Sequence, residues 1–218
     1  MKFLPTTKEE MKNLGWDSID VLLISGDTYL DTSYNGSALV GKWLVEHGFK
    51  VGIIAQPEVD IPDDITRLGE PNLFFAVSGG CVDSMVANYT ATKKRRQQDD
   101  FTPGGVNNKR PDRAVLVYSN MIRRFFKGTT KKIVISGIES SLRRITHYDY
   151  WTNKLRKPIL FDAKADILSY GMGEMSMLEL ANALKNGEDW KNIKGLCYLS
   201  KEMKEDYGFQ LATIFDFE

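Results

Sequence analysis

Residues 131–151 read Lys-Lys-Ile-Val-Ile-Ser-Gly-Ile-Glu-Ser-Ser-Leu-Arg-Arg-Ile-Thr-His-Tyr-Asp-Tyr-Trp. Ile133 to Ile135 is a β-branched run, and the spacing predicts a buried strand that leaves its sheet at Ser136-Gly137. Ser140-Ser141-Leu142-Arg143-Arg144-Ile145 predicts the first turns of a helix with a serine as N-cap. A strand that stops at glycine and turns into a helix is the local form of a ligand crevice in an open α/β sheet, which binds outside the carboxyl ends of its strands. Glu139, two serines, two arginines, His147 and Asp149 follow within eleven residues. Surface loops are often polar for solubility alone. A mix of arginine, acid and aromatic points instead to a working surface.

Outward from this stretch the chain repeats the pattern. Asp20-Val-Leu-Leu-Ile-Ser25, Lys50-Val-Gly-Ile-Ile-Ala55 and Asn72-Leu-Phe-Phe-Ala-Val-Ser78 are continuous apolar runs of parallel-sheet type. Between the first two, residues 35–47 carry Leu39, Trp43 and Leu44 at helical spacing, which completes a right-handed βαβ unit. Thr7 and Glu10 form a capping-box pattern for a short helix that ends at Gly15. A short helix is expected at 63–69 and another at 81–90. Residues 113–118 predict a fourth strand followed by a helix over 119–127. Residues 157–161 predict a small strand or a turn. Residues 166–170 predict a strand, 175–184 a helix ending near Gly187, and 195–199 a closing strand. Residues 92–113 have almost no apolar side chain and predict a long loop, which in a compact domain marks function or disorder. The resulting fold class is a three-layer, open, mostly parallel α/β sheet of flavodoxin-like type.

The 218 residues are ample to bury a core, and 42% hydrophobic with 11% aromatic content is globular composition. Lysine plus arginine equals aspartate plus glutamate at 29 each, so no global field argues for nucleic acid or membrane. No apolar run approaches the ~18 residues of a spanning helix, and the N-terminus lacks a signal-peptide core. Cytoplasmic placement is the expectation. Cys81 and Cys197 are the two cysteines. They cannot assemble an iron–sulfur or zinc site by themselves, and no metal ligand is assigned.

Four strand ends share one punctuation: Ser25-Gly26-Asp27, Ser78-Gly79-Gly80, Ser136-Gly137 and Tyr170-Gly171-Met-Gly173. In a parallel sheet these fall on one edge and line one crevice. Helix starts behind them expose amides that favour an anion. The dinucleotide fingerprint, the Walker loop and the nucleophile elbow are absent.

Phe3-Leu-Pro-Thr-Thr7, Gly52-Ile-Ile-Ala-Gln-Pro57, Asp83-Ser-Met85, Tyr89-Thr-Ala91, Thr102-Pro-Gly-Gly105, Lys109-Arg-Pro-Asp-Arg113, residues 137–144 and His147-Tyr-Asp-Tyr-Trp151 resemble the YgiQ family of radical SAM proteins over nearly the whole chain. The resemblance implies a cobalamin-binding-like α/β domain over residues 1–200. It also implies, from 201 to 218, the start of a linker to a partial barrel. In that barrel a three-cysteine motif ligates a 4Fe-4S cluster that binds SAM. Gly171-Met-Gly173-Glu174 corresponds to a Gly-x-Gly-Glu turn that precedes the barrel. The three-cysteine motif is missing from these residues, so the cluster and SAM belong to a segment beyond them. The histidine-ligation motif of cobalamin domains is also missing, because Asp31-Thr-Ser-Tyr-Asn-Gly36 holds no histidine. Cobalamin, where bound, is then bound without a histidine ligand.

The residues assigned to a cofactor or ligand are Gly26, Asp27, Ser78, Gly79, Gly80, Ser136, Gly137, Glu139, Arg143, Arg144, Gly171, Gly173 and Glu174. No residue is assigned as catalytic; His147, Asp149 and Trp151 are secondary candidates. Consecutive helical residues diverge by about 100°, so one of Arg143 and Arg144 pairs within the domain, with Asp149 or Glu139. The other faces the crevice or the barrel. The leading function is an accessory domain of a radical SAM iron–sulfur enzyme, with its own barrel and a small molecule as partners. Two alternatives stay open. One is a stand-alone flavodoxin-like module for a nucleotide or other cofactor. The other, disfavoured by the acids Asp99, Asp100 and Asp112, is an RNA-interaction module using Lys93 to Arg96 and Lys109 to Arg113.

Overall fold

The structure is a computed structural model and describes residues 3–29 and 36–201. The expected linker past Lys201, and residues 31–35 of the turn without histidine, lie outside the described residues. In chain order the elements are α1 (Lys8–Asn13), β1 (Val21–Ser25), α2 (Gly36–Glu46), β2 (Val51–Ala55), α3 (Pro62–Thr66), β3 (Phe74–Ser78), α4 (Ser84–Asn88), α5 (Ala114–Phe125), β4 (Lys132–Ser136), α6 (Gly137–Leu142), β5 (His147–Asp149), β6 (Lys154–Arg156), α7 (Ile159–Ala163), β7 (Ile167–Ser169), α8 (Glu174–Asn186) and β8 (Leu196–Tyr198).

Six strands form one sheet in the order β2-β1-β3-β4-β7-β8, all parallel except β8, which runs antiparallel to β7. The apolar runs read from the sequence become strands because both of their faces are covered. Leu22, Ile24, Phe75, Val77, Ile133, Ile135 and Leu168 pack on one face with Ile65, Val115, Tyr118, Ile122 and Leu160 from α3, α5 and α7. Val21, Leu23, Phe74, Ala76, Val134 and Ile167 pack on the other with Leu44, Met177, Leu180 and Ala181 from α2 and α8. This is the three-layer α/β fold expected from the sequence. The Thr7–Glu10 capping box of α1 is formed in both directions. Beside β2, at the sheet edge, the Pro5 carbonyl accepts from Ile53 N at 3.0 Å. No helix among the described residues is long and apolar enough to cross a membrane.

Three local expectations are corrected. Residues 113–118 are not a strand but enter α5, whose buried positions Ala114, Val115, Tyr118, Ser119, Met121 and Ile122 recur at helical spacing. A short apolar run does not distinguish a buried strand from one face of a helix. The helix expected from Ser140 starts at Gly137, straight off β4, with Ser136 as N-cap, and Ser140 is buried inside it. Residues 157–161 contribute to helix α7 rather than to a strand, while β5 and β6 pair as a separate antiparallel hairpin.

Candidate functional site

β1 and β3 are neighbours, yet the chain leaves β1 for α2 on one face and β3, by way of α4, for α5 on the other. This reversal is a topological switch point, where open α/β sheets hold their ligands. The two strand ends touch through backbone. Gly26 N donates to Ser78 O at 2.9 Å, and a Cβ on Gly26 would drive into the Gly79 carbonyl.

Above this contact lies a cleft of about 600 Å³. Its floor carries a row of three serines in register, Ser25, Ser78 and Ser136, on adjacent strands. The hydroxyl of Ser25 accepts from Asp27 N at 3.1 Å, and that of Ser78 accepts from Gly80 N at 3.2 Å. Of the residues assigned from the sequence, Asp27, Ser78, Gly80, Ser136, Gly137, Gly171, Gly173 and Glu174 line the cleft. Leu39, Ile138 and Met172 form exposed apolar lips. No lysine, arginine or histidine is among the described lining residues.

Gly26, Gly79, Glu139, Arg143 and Arg144 do not line it. Gly26 and Gly79 lie under the floor as described. The Glu139 carboxylate is buried beneath it. It accepts from Ser84 N at 3.0 Å and Val115 N at 3.4 Å, at the starts of α4 and α5. Ser84 Oγ accepts from Ala114 N at 3.0 Å, so two side chains from elsewhere cap α5, whose own Arg113 gives no cap. Burial, and then the nearby Asp83 carboxylate, push the Glu139 carboxyl above its ordinary range.

The two arginines diverge as expected, with a different partner. Arg143 pairs with Asp83 in a mostly buried contact, and Asp83 also caps α4 by accepting from Met85 N at 2.9 Å. Arg144 is exposed, donates to Ser141 O at 2.6 Å, and lies 5.3 Å from the Tyr170 ring centre. Asp149 pairs with Arg113 at 2.7 Å instead. Burial alone would raise its carboxyl, but the Arg113 and Thr152 hydrogen bonds outweigh burial and bring it to about 2. The Trp151 ring packs against Tyr89, tilted at 5.1 Å, and against Tyr150, edge-on at 5.6 Å.

The principal group missed in the sequence is Arg110. Its side chain is fully buried between Asp27, at 2.6 Å, and Asp99, at 3.0 Å. Its Nε donates to Gly26 O at 2.9 Å. Gln56 Nε2 joins the same knot, donating to Gly26 O at 3.0 Å and Thr102 Oγ1 at 2.7 Å. These bonds fasten the polar loop over residues 92–113 across the end of β1. The length of that loop was its one signal in the sequence. The basic run is also spent internally: Lys109 pairs with Glu58 at 2.9 Å, and Arg96 Nε donates to Tyr89 O at 3.1 Å. Cys81 lies in the cleft, its thiol pushed up to about 12 by burial first and by Asp27 second. Cys197 lies on β8.

The family model described as Radical SAM N-terminal matches residues 3–218. A UPF0313 protein of Fusobacterium nucleatum is 98% identical over 207 residues, 95% of this chain and 36% of the relative. One from Thermotoga neapolitana is 55% identical over 214 residues, 97% of this chain and 37% of the relative. A further UPF0313 protein, from Methanocaldococcus jannaschii, is 54% identical over 192 residues, 88% of this chain and 31% of the relative. The chain thus spans about a third of the length of these relatives. Among solved structures, the radical S-adenosylmethionine methyltransferase TsrM of Kitasatospora setae, with cobalamin and a [4Fe-4S] cluster bound, superimposes with a TM-score of 0.54. That match has 18% identity and covers 84% of this chain and 28% of TsrM. A second TsrM structure, with tryptophan and a SAM analogue, gives the same TM-score at 17% identity, over 83% of this chain and 28% of that one. At these identities the likeness shows the fold.

Proposed function

Because the chain belongs to the Radical SAM N-terminal family, we propose that it is the accessory α/β domain of a radical SAM iron–sulfur enzyme. In this reading it covers or shapes the active site of a barrel encoded beyond residue 218. The observation that carries the reading is the cleft at the β1/β3 switch point, on a domain that spans about a third of its relatives. The 4Fe-4S cluster does not fit this chain. Cys81 lies in the turn after β3 and Cys197 on β8, and two cysteines cannot supply the three converging thiolates that a cluster takes. The cluster and its SAM are therefore assigned to the barrel, where they would supply the radical chemistry.

Cobalamin fits the cleft in part. The serine hydroxyls and backbone edges suit a ligand fringed with neutral amides, and the apolar lips suit its flat body. With no histidine among the described lining residues, cobalt would carry no imidazole from them. Ser25, Ser78, Ser136 and the Gly137 edge would hold the amides. No cation is among the described lining residues, so a stand-alone nucleotide or flavin module would hold its phosphate through backbone amides and serine hydroxyls alone. The internal pairing of Lys109, Arg110 and Arg113 argues against RNA.

The test uses the full-length gene product, reconstituted with iron and sulfide without oxygen. We expect one 4Fe-4S cluster and reductive SAM cleavage from the full-length protein, and neither from these 218 residues alone. A full-length protein that binds no iron would overturn the reading. So would tight FMN binding by the present chain.

A further inference from the structure

Residues 138–155 have two unlike sides. The inner side is tied down: Glu139 and Ser140 are buried, Arg143 holds Asp83, and Asp149 holds Arg113 and approaches Arg156 at 3.8 Å. Tyr150 OH donates to Ala91 O at 2.7 Å, and Lys93 Nζ to Trp151 O at 3.3 Å, which fixes the hairpin to the 92–113 loop. A hairpin of two three-residue strands has little stability of its own, so these ties hold it in place. The outer side is bare and apolar. Ile138, Leu142, Ile145, Tyr148 and Leu155 are 43%, 60%, 59%, 58% and 65% exposed. Ile138 and Leu142 are four apart on α6 and share a face. Tyr148 and Leu155 are directly opposite in the β5–β6 register, on the side away from Asp149.

We infer that this outer face, centred on Tyr148 and Leu155, is the docking surface for the part of the polypeptide that lies beyond residue 218. The inference rests on the proposed function. Two facts select this occupant. The relatives are nearly three times as long as the chain, so most of the protein remains to be packed against it. Ile138, the first of these exposed residues in the chain, is also a lip of the cleft, so an occupant that covers the cleft starts at this segment. Around the apolar residues stand the exposed cations Arg144, Lys154 and Lys157. Interfaces have an apolar centre and a polar rim, so the occupant presents apolar side chains ringed by carboxylates.

Hydroxyl-radical footprinting of the 218-residue chain and of the full-length protein tests this, with the exposed Leu14 just past the end of α1 as the dose reference. We expect oxidation of Tyr148 and Leu155 in the full-length protein to fall below about a fifth of its value in the short chain, as burial in an interface centre requires. Equal oxidation in both forms would overturn the inference. Suppression in the short chain that grows with its concentration would overturn it too, and would identify a second copy as the occupant. A Tyr148→Lys/Leu155→Glu double variant, whose opposite charges face each other across the hairpin, adds an independent readout: an unchanged melting temperature for the short chain and a lowered one for the full-length protein. A lowered temperature in both would count against docking. Iron content, measured on the same full-length sample, separates the two claims. Protection without a cluster removes the proposed function and leaves the docking surface, whereas a cluster without protection does the reverse.

Discussion

Arg110 and Asp27, 83 positions apart, meet at 2.6 Å with side-chain exposures of 0% and 3%. The guanidinium also serves Asp99 and the Gly26 carbonyl, so one buried cation ties a long loop to the end of the first strand. Removing it strands two buried carboxylates. Arg110→Leu should destabilise the domain by roughly 3–5 kcal/mol, the cost of breaking a buried pair. Arg110→Lys should recover less than half of that, because an ammonium lacks the fork that bonds Asp27 and the Gly26 carbonyl together while facing Asp99. Urea denaturation followed by circular dichroism checks both.

Arg143 and Arg144 should respond unequally. Arg143→Ala removes the partner of Asp83, a residue that also caps α4, and should cost about 1–3 kcal/mol. Arg144→Ala removes an exposed side chain and should change stability by no more than about 0.5 kcal/mol. The same denaturation experiment decides. Equal effects would show that the ion pair with Asp83 does not form.

Two buried carboxylates should titrate stability in opposite senses. The Asp149 carboxyl is held at about 2 in the fold, below its unfolded value near ~3.9. Its stabilisation is therefore complete above the unfolded value and is lost as pH falls through the folded one. The stability difference between the wild-type chain and Asp149→Asn should shrink steadily from pH 5 towards pH 2. Glu139 is shifted upward, so the folded state holds its proton longer. The wild-type chain should lose stability relative to Glu139→Gln as pH rises from the unfolded carboxyl value near ~4.3. Stability profiles of the three proteins from pH 2 to 8 test both slopes.

Cys81 should be a slow nucleophile despite lining the cleft. With its thiol pushed up to about 12, the thiolate fraction at pH 8 is on the order of a thousandfold below that of a free cysteine. Alkylation by iodoacetamide, read by mass spectrometry against glutathione, should be at least ~100-fold slower. A rate near that of glutathione would place the thiol in a more open or electropositive setting.

The sheet and its crevice were legible in the sequence because β1, β3 and β4 are short apolar runs cut off by Ser-Gly, a local signal. Helix α8 was legible for a similar reason, with apolar residues at helical spacing and Gly187 as its stop. Helix α5 was not, since Ala-Val-Leu-Val-Tyr reads equally as strand or helix until its neighbours are known. The deepest polar feature was hidden for another reason. Arg110 sits in Lys-Arg-Pro-Asp-Arg, a run that reads as solvated charge, and only the fold brings Asp27 and Asp99 to it. The partner of Arg143 was likewise nonlocal, being 60 positions away at Asp83. Glu139 reads from the sequence either as a crevice acid or as the complement of a helix N-terminus, because no local pattern tells a ligand-facing acid from one that caps two helices.

The backbone contact between Gly26 and Gly79 bears on how such a domain diversifies. Beneath the floor, a side chain on Gly26 would drive into the Gly79 backbone and one on Gly79 into the buried Glu139 carboxylate, so this seam cannot be re-tailored by substitution. Variation in what the cleft accepts is thereby channelled to its lips, at Leu39, Ile138 and Met172, which are exposed and face few packing demands. A library randomised at these three positions should return mostly folded chains. One randomised at Gly26 and Gly79 should return almost none. Inheritance in this fold would then conserve the seam and spend its mutations at the mouth.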